Sequence, residues 1–294
     1  MYFTPTLSPK ETSGNVRDFV EDHRDELIQL MKSVLPFLIL FVLVNSYVQY
    51  LLNLDAVEYL RDVKQPETMS DVKELMANIQ GHSYGNPLTW VSFAFQIGVG
   101  YCFAVVAVGW HRLVLLGRNN YTSMSFLNPK KHEIEFVIMW TVMGTILPFL
   151  MVYLFKIDIW LVILLSVIFP YLFFKVSFYF PAKALDSNVS LISSFQLTNG
   201  YFFKFLFAMM RSCILVAIVY ALVALIIGSV AASLAQDWYG DQMTSDLVRS
   251  MYEQMVGQPV MSVIAVFIFQ PIFTVLGVTV LSNYFQHAMQ NKSV

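Results

Sequence analysis

The chain has 294 residues, 57% hydrophobic and only 13% charged, with a net charge of −2 and a mean hydropathy of +0.60. A soluble domain carries about 25% charged residues, so these totals exclude an ordinary soluble globule and point to a chain surrounded by lipid. The near-neutral balance, with no basic stripe interleaved with aromatic residues, also argues against a nucleic-acid partner.

Residues 1–33 come first as a polar segment of mixed charge, expected to lie in the cytoplasm. Within it, 15–33 carry Phe19, Leu27, Leu30 and Met31 among many charges and run into the first apolar stretch just before Pro36. This is the composition of an amphipathic helix. No short apolar stretch leads to a small-residue cleavage site, so the first span is expected to act as an uncleaved signal.

Six apolar runs follow, at 34–54, 88–115, 135–155, 159–180, 205–234 and 259–284. About 20 apolar residues cross the roughly 30 Å hydrocarbon core as a helix, and in lipid a helix satisfies its backbone polar groups internally. Barrel strands alternate apolar and polar residues over about 10 positions, which these uniform runs do not. The expected fold is an all-α integral membrane protein, with a six-helix transmembrane domain over 34–285, short amphipathic interfacial helices and a cytoplasmic tail at 286–294. Runs three and four are separated only by Lys156, Ile157 and Asp158, which predicts a tight antiparallel hairpin.

Orientation follows from the basic residues, which concentrate on the cytoplasmic side of membrane proteins. With the N-terminus inside, Lys10, Arg17, Arg24, Lys32, Arg112, Arg118, Lys130, Lys131, Lys175, Lys183, Lys204, Arg211 and Lys292 share that side. The other side holds only Arg61, Lys64, Lys73, Lys156 and Arg249. Both termini are therefore expected in the cytoplasm. Two outer loops carry amphipathic helices: one capped by Ser70 with Val72, Leu75, Met76 and Ile79 on one face, the other from Ser245 to Gly257, with Pro259 beyond. Such helices rest on the bilayer, cap the bundle or present a face to a protein partner.

Small residues four apart let membrane helices approach closely. The second run has Ala94, Gly98 and Cys102; the fifth has Cys213, Ala217 and Ala221, then Ala224, Gly228 and Ala232. These two helices are expected at the centre. Cys102 and Cys213 lie inside apolar runs and are expected as unpaired, hydrophobe-like thiols. Pro36, Pro148, Pro170 and Pro271 lie in or near the spans and predict kinks.

The chemistry-bearing residues are few. Mid-span positions hold Gln96, Thr141, Thr145, Ser166, Gln270 and Thr274 but no ionisable group, so a proton or ion relay is not expected. No metalloprotease, serine-hydrolase, phosphate-loop or zinc motif is present. No catalytic residue, cofactor or metal is expected. The ionisable residues gather at the cytoplasmic ends of the spans: His111, Arg112, Lys175, Lys204 and Arg211. Converging, they would form a basic collar at the depth of lipid phosphates, which arginine binds through its planar fork; otherwise they snorkel.

The segment from Lys175 through Pro181-Ala-Lys-Ala-Leu-Asp186, then Ser190-Leu-Ile-Ser-Ser-Phe-Gln-Leu-Thr-Asn-Gly200, together with Trp110-His-Arg-Leu-Val-Leu-Leu-Gly117, resembles a group of bacterial inner-membrane proteins. That group is related to the YciC-like proteins and to the membrane domain of some glycerophosphoryl diester phosphodiesterases. The residues on their own read as a helix–elbow–helix unit, and the resemblance implies placement in a bacterial inner membrane. It carries no activity, because nothing in these residues corresponds to the soluble phosphodiesterase domain. In the residues themselves, Pro181 is expected to end the fourth span, Asp186 or Ser190 to cap a short helix, and Asn199-Gly200 to turn into the fifth. Ser125-Phe-Leu-Asn-Pro129 echoes this elbow ahead of the third span. The expected role is a non-enzymatic scaffold or accessory protein engaging membrane lipids, a partner, or both. The alternatives are a transporter or flippase-like lipid handler, and a membrane enzyme lacking a recognisable motif.

Overall fold

The computed structural model describes residues 5–61, 85–146, 159–187, 189–239 and 246–292. Every regular element among them is helical. In chain order these are α1 (Pro9–Asp22), α2 (Arg24–Arg61), α3 (Pro87–Leu116), α4 (Lys131–Thr141), α5 (Ile159–Ser177), α6 (Tyr179–Ala184), α7 (Leu191–Leu197), α8 (Phe202–Tyr239), α9 (Asp246–Ile264) and α10 (Gln270–Lys292). Five stretches are long and apolar enough to cross a membrane: Arg24–Tyr59, Pro87–Leu116, Ile163–Ala184, Phe202–Trp238 and Met255–Asn291. The expected third span at 135–155 is described as far as Ile146; its remainder, the hairpin after it, the Ser70 helix and the Ser245 cap lie outside the described residues.

Helix starts and stops follow local chemistry. Ser8 caps α1, its hydroxyl accepting from the Glu11 amide at 3.4 Å, and Pro9 occupies the first turn, where no backbone donor is needed. His23 divides α1 from α2: its ring stacks on Phe19 at 4.1 Å and its Nδ1 lies 3.0 Å from the Phe19 carbonyl. Residues 24–33 thus belong to the long helix α2, which continues through Pro36. Pro181 acts further upstream than expected. Its ring cannot sit over the carbonyl of residue 177, so α5 stops at Ser177 and the proline lies inside the separate short helix α6.

Two turns widen from α to π geometry, Val142–Ile146 and Ala265–Phe269. Each stands two residues before a proline in the sequence, Pro148 and Pro271. A proline withdraws one donor and crowds the carbonyl four residues back, and a π turn relieves that crowding. The expected stop at Gly257 does not occur either, since α9 runs to Ile264 through Pro259. Gly257 serves close packing instead: a Cβ there would stand 3.0 Å from the Ala231 Cβ of α8.

The chain divides into two compact units. The first comprises Met1–Leu38, Gly100–Ala217 and Gln270–Val294; the second comprises Ile39–Val99 and Ile218–Phe269. The first unit is centred on α3, whose residues from Cys102 to Leu113 are all buried. Leu30, Val34 and Leu38 of α2, Phe136 of α4, and Val275, Leu276 and Val280 of α10 are buried in the same unit. Aromatic rings fill its far side: Phe174 lies 4.7 Å from Phe205, and Phe136 meets Phe180 edge-on at 5.2 Å. In the second unit Phe41 packs against Gly98, and Tyr220 meets Phe269 edge-on at 4.9 Å.

The expectation of two central helices therefore holds for α3 and fails for α8. From Cys213 to Val230 no residue of α8 is buried, and a Cβ on Gly228 would meet nothing within 4 Å. A small-residue stripe lowers the steric barrier to a neighbour without supplying one. In α3, by contrast, small residues are filled from outside: a Cβ on Gly109 would come within 2.6 Å of the buried Leu30 side chain. Gly109→Ala should consequently cost about 1–3 kcal/mol by overpacking, whereas Gly228→Ala should be neutral or stabilising through helix propensity. Thermal unfolding of both variants in detergent checks this, and equal midpoints would count against the packing described.

Candidate functional site

The five expected collar residues all fall in the first unit, and they separate into two groups by environment. His111, Arg112 and Lys175 are buried; Lys204 and Arg211 are exposed.

His111 is fully buried in α3, with Nδ1 2.8 Å from the Ser282 hydroxyl of α10 and its ring edge-on to Phe136. One residue earlier, Trp110 donates its indole N–H to Thr279 at 2.8 Å. These bonds join α3 to α10 along one face.

Arg112 is 4% exposed and its guanidinium is encircled by oxygen. Nε donates to the Ala184 carbonyl at 2.7 Å and one terminal nitrogen to the Thr122 carbonyl at 3.2 Å. That nitrogen also lies 2.9 Å from Glu133, while the other lies 3.6 Å from Asp186. Glu133 is itself buried and accepts from the Lys130 amide at 2.7 Å, closing the first turn of α4. Asp186 adopts a left-handed backbone (φ 59°) and also pairs with His132. Asp186 is therefore a bridge to Arg112 rather than a helix cap. Ser190 performs the capping, accepting from the Ser193 amide at 3.1 Å. Beside this cluster Lys183 pairs with Glu135 at 2.5 Å.

Lys175 is 8% exposed; its ammonium donates to Asn199 at 2.5 Å and sits 5.5 Å above the Tyr171 ring. Its carbonyl accepts from Ser194 at 2.9 Å. The elbow helix α7 is thus fixed to the end of α5 by polar groups at both ends of one residue. The weaker echo at Ser125–Pro129 is not helical.

Lys204 and Arg211 lie on one exposed stripe of α8, among Phe203, Phe207, Met210, Ile214 and Leu215, all more than half exposed. Arg17 of α1 donates to the Arg211 carbonyl at 2.7 Å, and Tyr284 donates to the Lys204 carbonyl at 3.0 Å. In both cases the bonded atom is main-chain oxygen.

The second unit holds a separate, uncharged polar seam. Ser92 donates to Asn45 at 2.8 Å and receives the Gln49 amide at 2.5 Å, while Asn53 donates to Gln258 at 3.0 Å. The cleft lined by Ser46, Gln49, Asn53, Gln258 and Ser262 is too narrow to hold a water molecule. Sequence reasoning passed over this seam, although Asn45, Gln49 and Asn53 recur every four residues and so share one face of α2. It also left Arg112 without its counter-charges. Glu133 and Asp186 are ordinary polar residues in a linear reading, and only the fold brings them to a guanidinium. Among the described residues no group of His, Cys, Asp and Glu is arranged to hold a metal ion, and Cys102 and Cys213 are free thiols.

No family model, curated protein or solved structure matches this chain.

Arg112→Gln leaves Glu133 buried without its cation, and should destabilise the protein by about 3–5 kcal/mol. Arg112→Leu combined with Glu133→Leu should recover a large part of that loss, because no buried charge is then stranded. Unfolding followed by tryptophan fluorescence in detergent distinguishes this from a purely electrostatic surface effect, for which the double variant would show no recovery.

Proposed function

We propose that this protein is a six-span, non-enzymatic scaffold or accessory component of a bacterial inner membrane, with both ends cytoplasmic, engaging lipid head groups and a partner protein. One observation carries the reading: the buried charged residues Arg112 and Lys175 and the Ser92 seam are spent on joining helices. Arg112 meets four oxygen partners, Lys175 holds Asn199, and Ser92 gathers amide groups from α2 and α3. A transport pathway needs polar groups able to exchange partners with a passing solute, and room for it. Interhelical hydrogen bonds in lipid are instead a means of fixing helices. The resemblance of the elbow segment to inner-membrane proteins of the YciC-like group agrees with this placement. The exposed apolar length of α8 is the surface offered to lipid or to a partner helix.

The test is reconstitution into vesicles with labelled phospholipid, alongside extraction into native nanodiscs and mass spectrometry of what co-purifies. The scaffold reading expects lipid exchange between leaflets no faster than in protein-free vesicles, and a protein partner at fixed stoichiometry. Accelerated lipid exchange would replace it with lipid transport.

A further inference from the structure

We propose that Arg17 and Arg211 together hold a phosphate group at the membrane surface. The inference rests on the membrane placement above and deepens its lipid component by naming the group recognised. The two arginines are 194 positions apart in the chain, yet the Arg17 guanidinium reaches the main chain of Arg211. Both side chains are exposed. Among the described residues neither has a carboxylate within ion-pair distance. Other arginines of the same unit are neutralised: Arg112 by Glu133 and Asp186, Arg118 by Glu26, and Arg24 by Asp25. Asp18 and Glu21, the neighbouring acids on α1, are exposed and make no such pair with Arg17.

Position gives this juxtaposition its meaning. Arg211 stands two turns along α8 from Lys204, in a stripe whose other members, Phe207, Met210, Ile214 and Leu215, are apolar and exposed. A stripe of that kind faces acyl chains, and a guanidinium there is poorly served by water. A guanidinium resting on the main chain of a second arginine beside lipid, with no carboxylate at hand, calls for an anion within reach of both. The planar forks of arginine match a tetrahedral phosphate with paired N–H donors. Arg17 keeps donors beyond the one given to the Arg211 carbonyl, and the Arg211 side chain takes no part in that bond. The shared chemistry is a phosphate monoester or diester, supplied by a phospholipid head group or by phosphate from solution.

The experiment uses the full chain in nanodiscs of phosphatidylcholine doped with phosphatidylglycerol, followed by native mass spectrometry of retained lipid. Wild type should retain phosphatidylglycerol above its bulk fraction. Arg211→Gln and Arg17→Gln should each weaken that retention about fivefold, the usual contribution of one basic residue at an anionic surface. Lys10→Gln, on the same helix as Arg17, should leave it unchanged. Arg211→Lys should restore part of the retention, since the charge returns without the fork. Millimolar inorganic phosphate distinguishes the sources: retention that survives it assigns the site to lipid, and displacement assigns it to free phosphate. Unchanged retention in the Arg17→Gln/Arg211→Gln double variant, with phosphate binding also unchanged, would overturn the proposal. Because neither side chain is buried, loss of folding is not the expected cause of an effect, and the melting temperature of each variant verifies that. A scaffold role would survive this failure, since partner co-purification does not depend on the arginines.

Discussion

A guanidinium with almost no access to solvent must be surrounded by oxygen, or the charge is too costly to keep. Arg112 meets that requirement by drawing acceptors from three places: Thr122 in the connection after α3, Glu133 at the start of α4, and Ala184 with Asp186 at the end of α6. The first two follow one another in the chain, and the third comes from a later pair of helices. The end of α3 becomes the point to which the connections of the first unit are tied. The same helix contributes Trp110 and His111 to α10 and accepts Leu30 against Gly109. Charge compensation and close packing are thus concentrated on one helix.

The second unit uses a different chemistry for a similar purpose. Its amides and hydroxyls are neutral, so their desolvation is cheaper than that of ions, and each bond can form without a counter-charge. Asn45, Gln49 and Asn53 of α2 meet Ser92 of α3 and Gln258 of α9 through that neutral set. The ion pairs around Arg112 belong to the first unit and this neutral seam to the second.

Much of this was legible in the residues. Long apolar runs announced the helices because lipid leaves few alternatives for a backbone. Ser190 was readable as a cap, and the small residues of α3 as a packing face. What escaped was relational. The Cys213, Ala217 and Ala221 stripe looks as suited to packing as that of α3, but whether another helix lies against it is decided elsewhere in the chain. His111, Arg112, Lys175, Lys204 and Arg211 all read as one basic set. Their division into three buried struts and two exposed cations depends on where Glu133, Asp186 and Asn199 arrive. Pro181 marks a stop in the sequence, and its steric effect falls four residues earlier.

The N-terminal segment is fastened by Asn283, a fully buried side chain of α10 that receives the Thr6 amide and donates to the Thr6 carbonyl. During synthesis Thr6 emerges 277 residues ahead of that partner. At about 5–20 residues per second, translation leaves an interval of roughly 15–50 s between the two. Throughout that interval the buried face of α1, including Thr12 and Val16, has no α10 to rest on. The α1 segment is therefore made well before the helix it rests on, and its docking waits for α10.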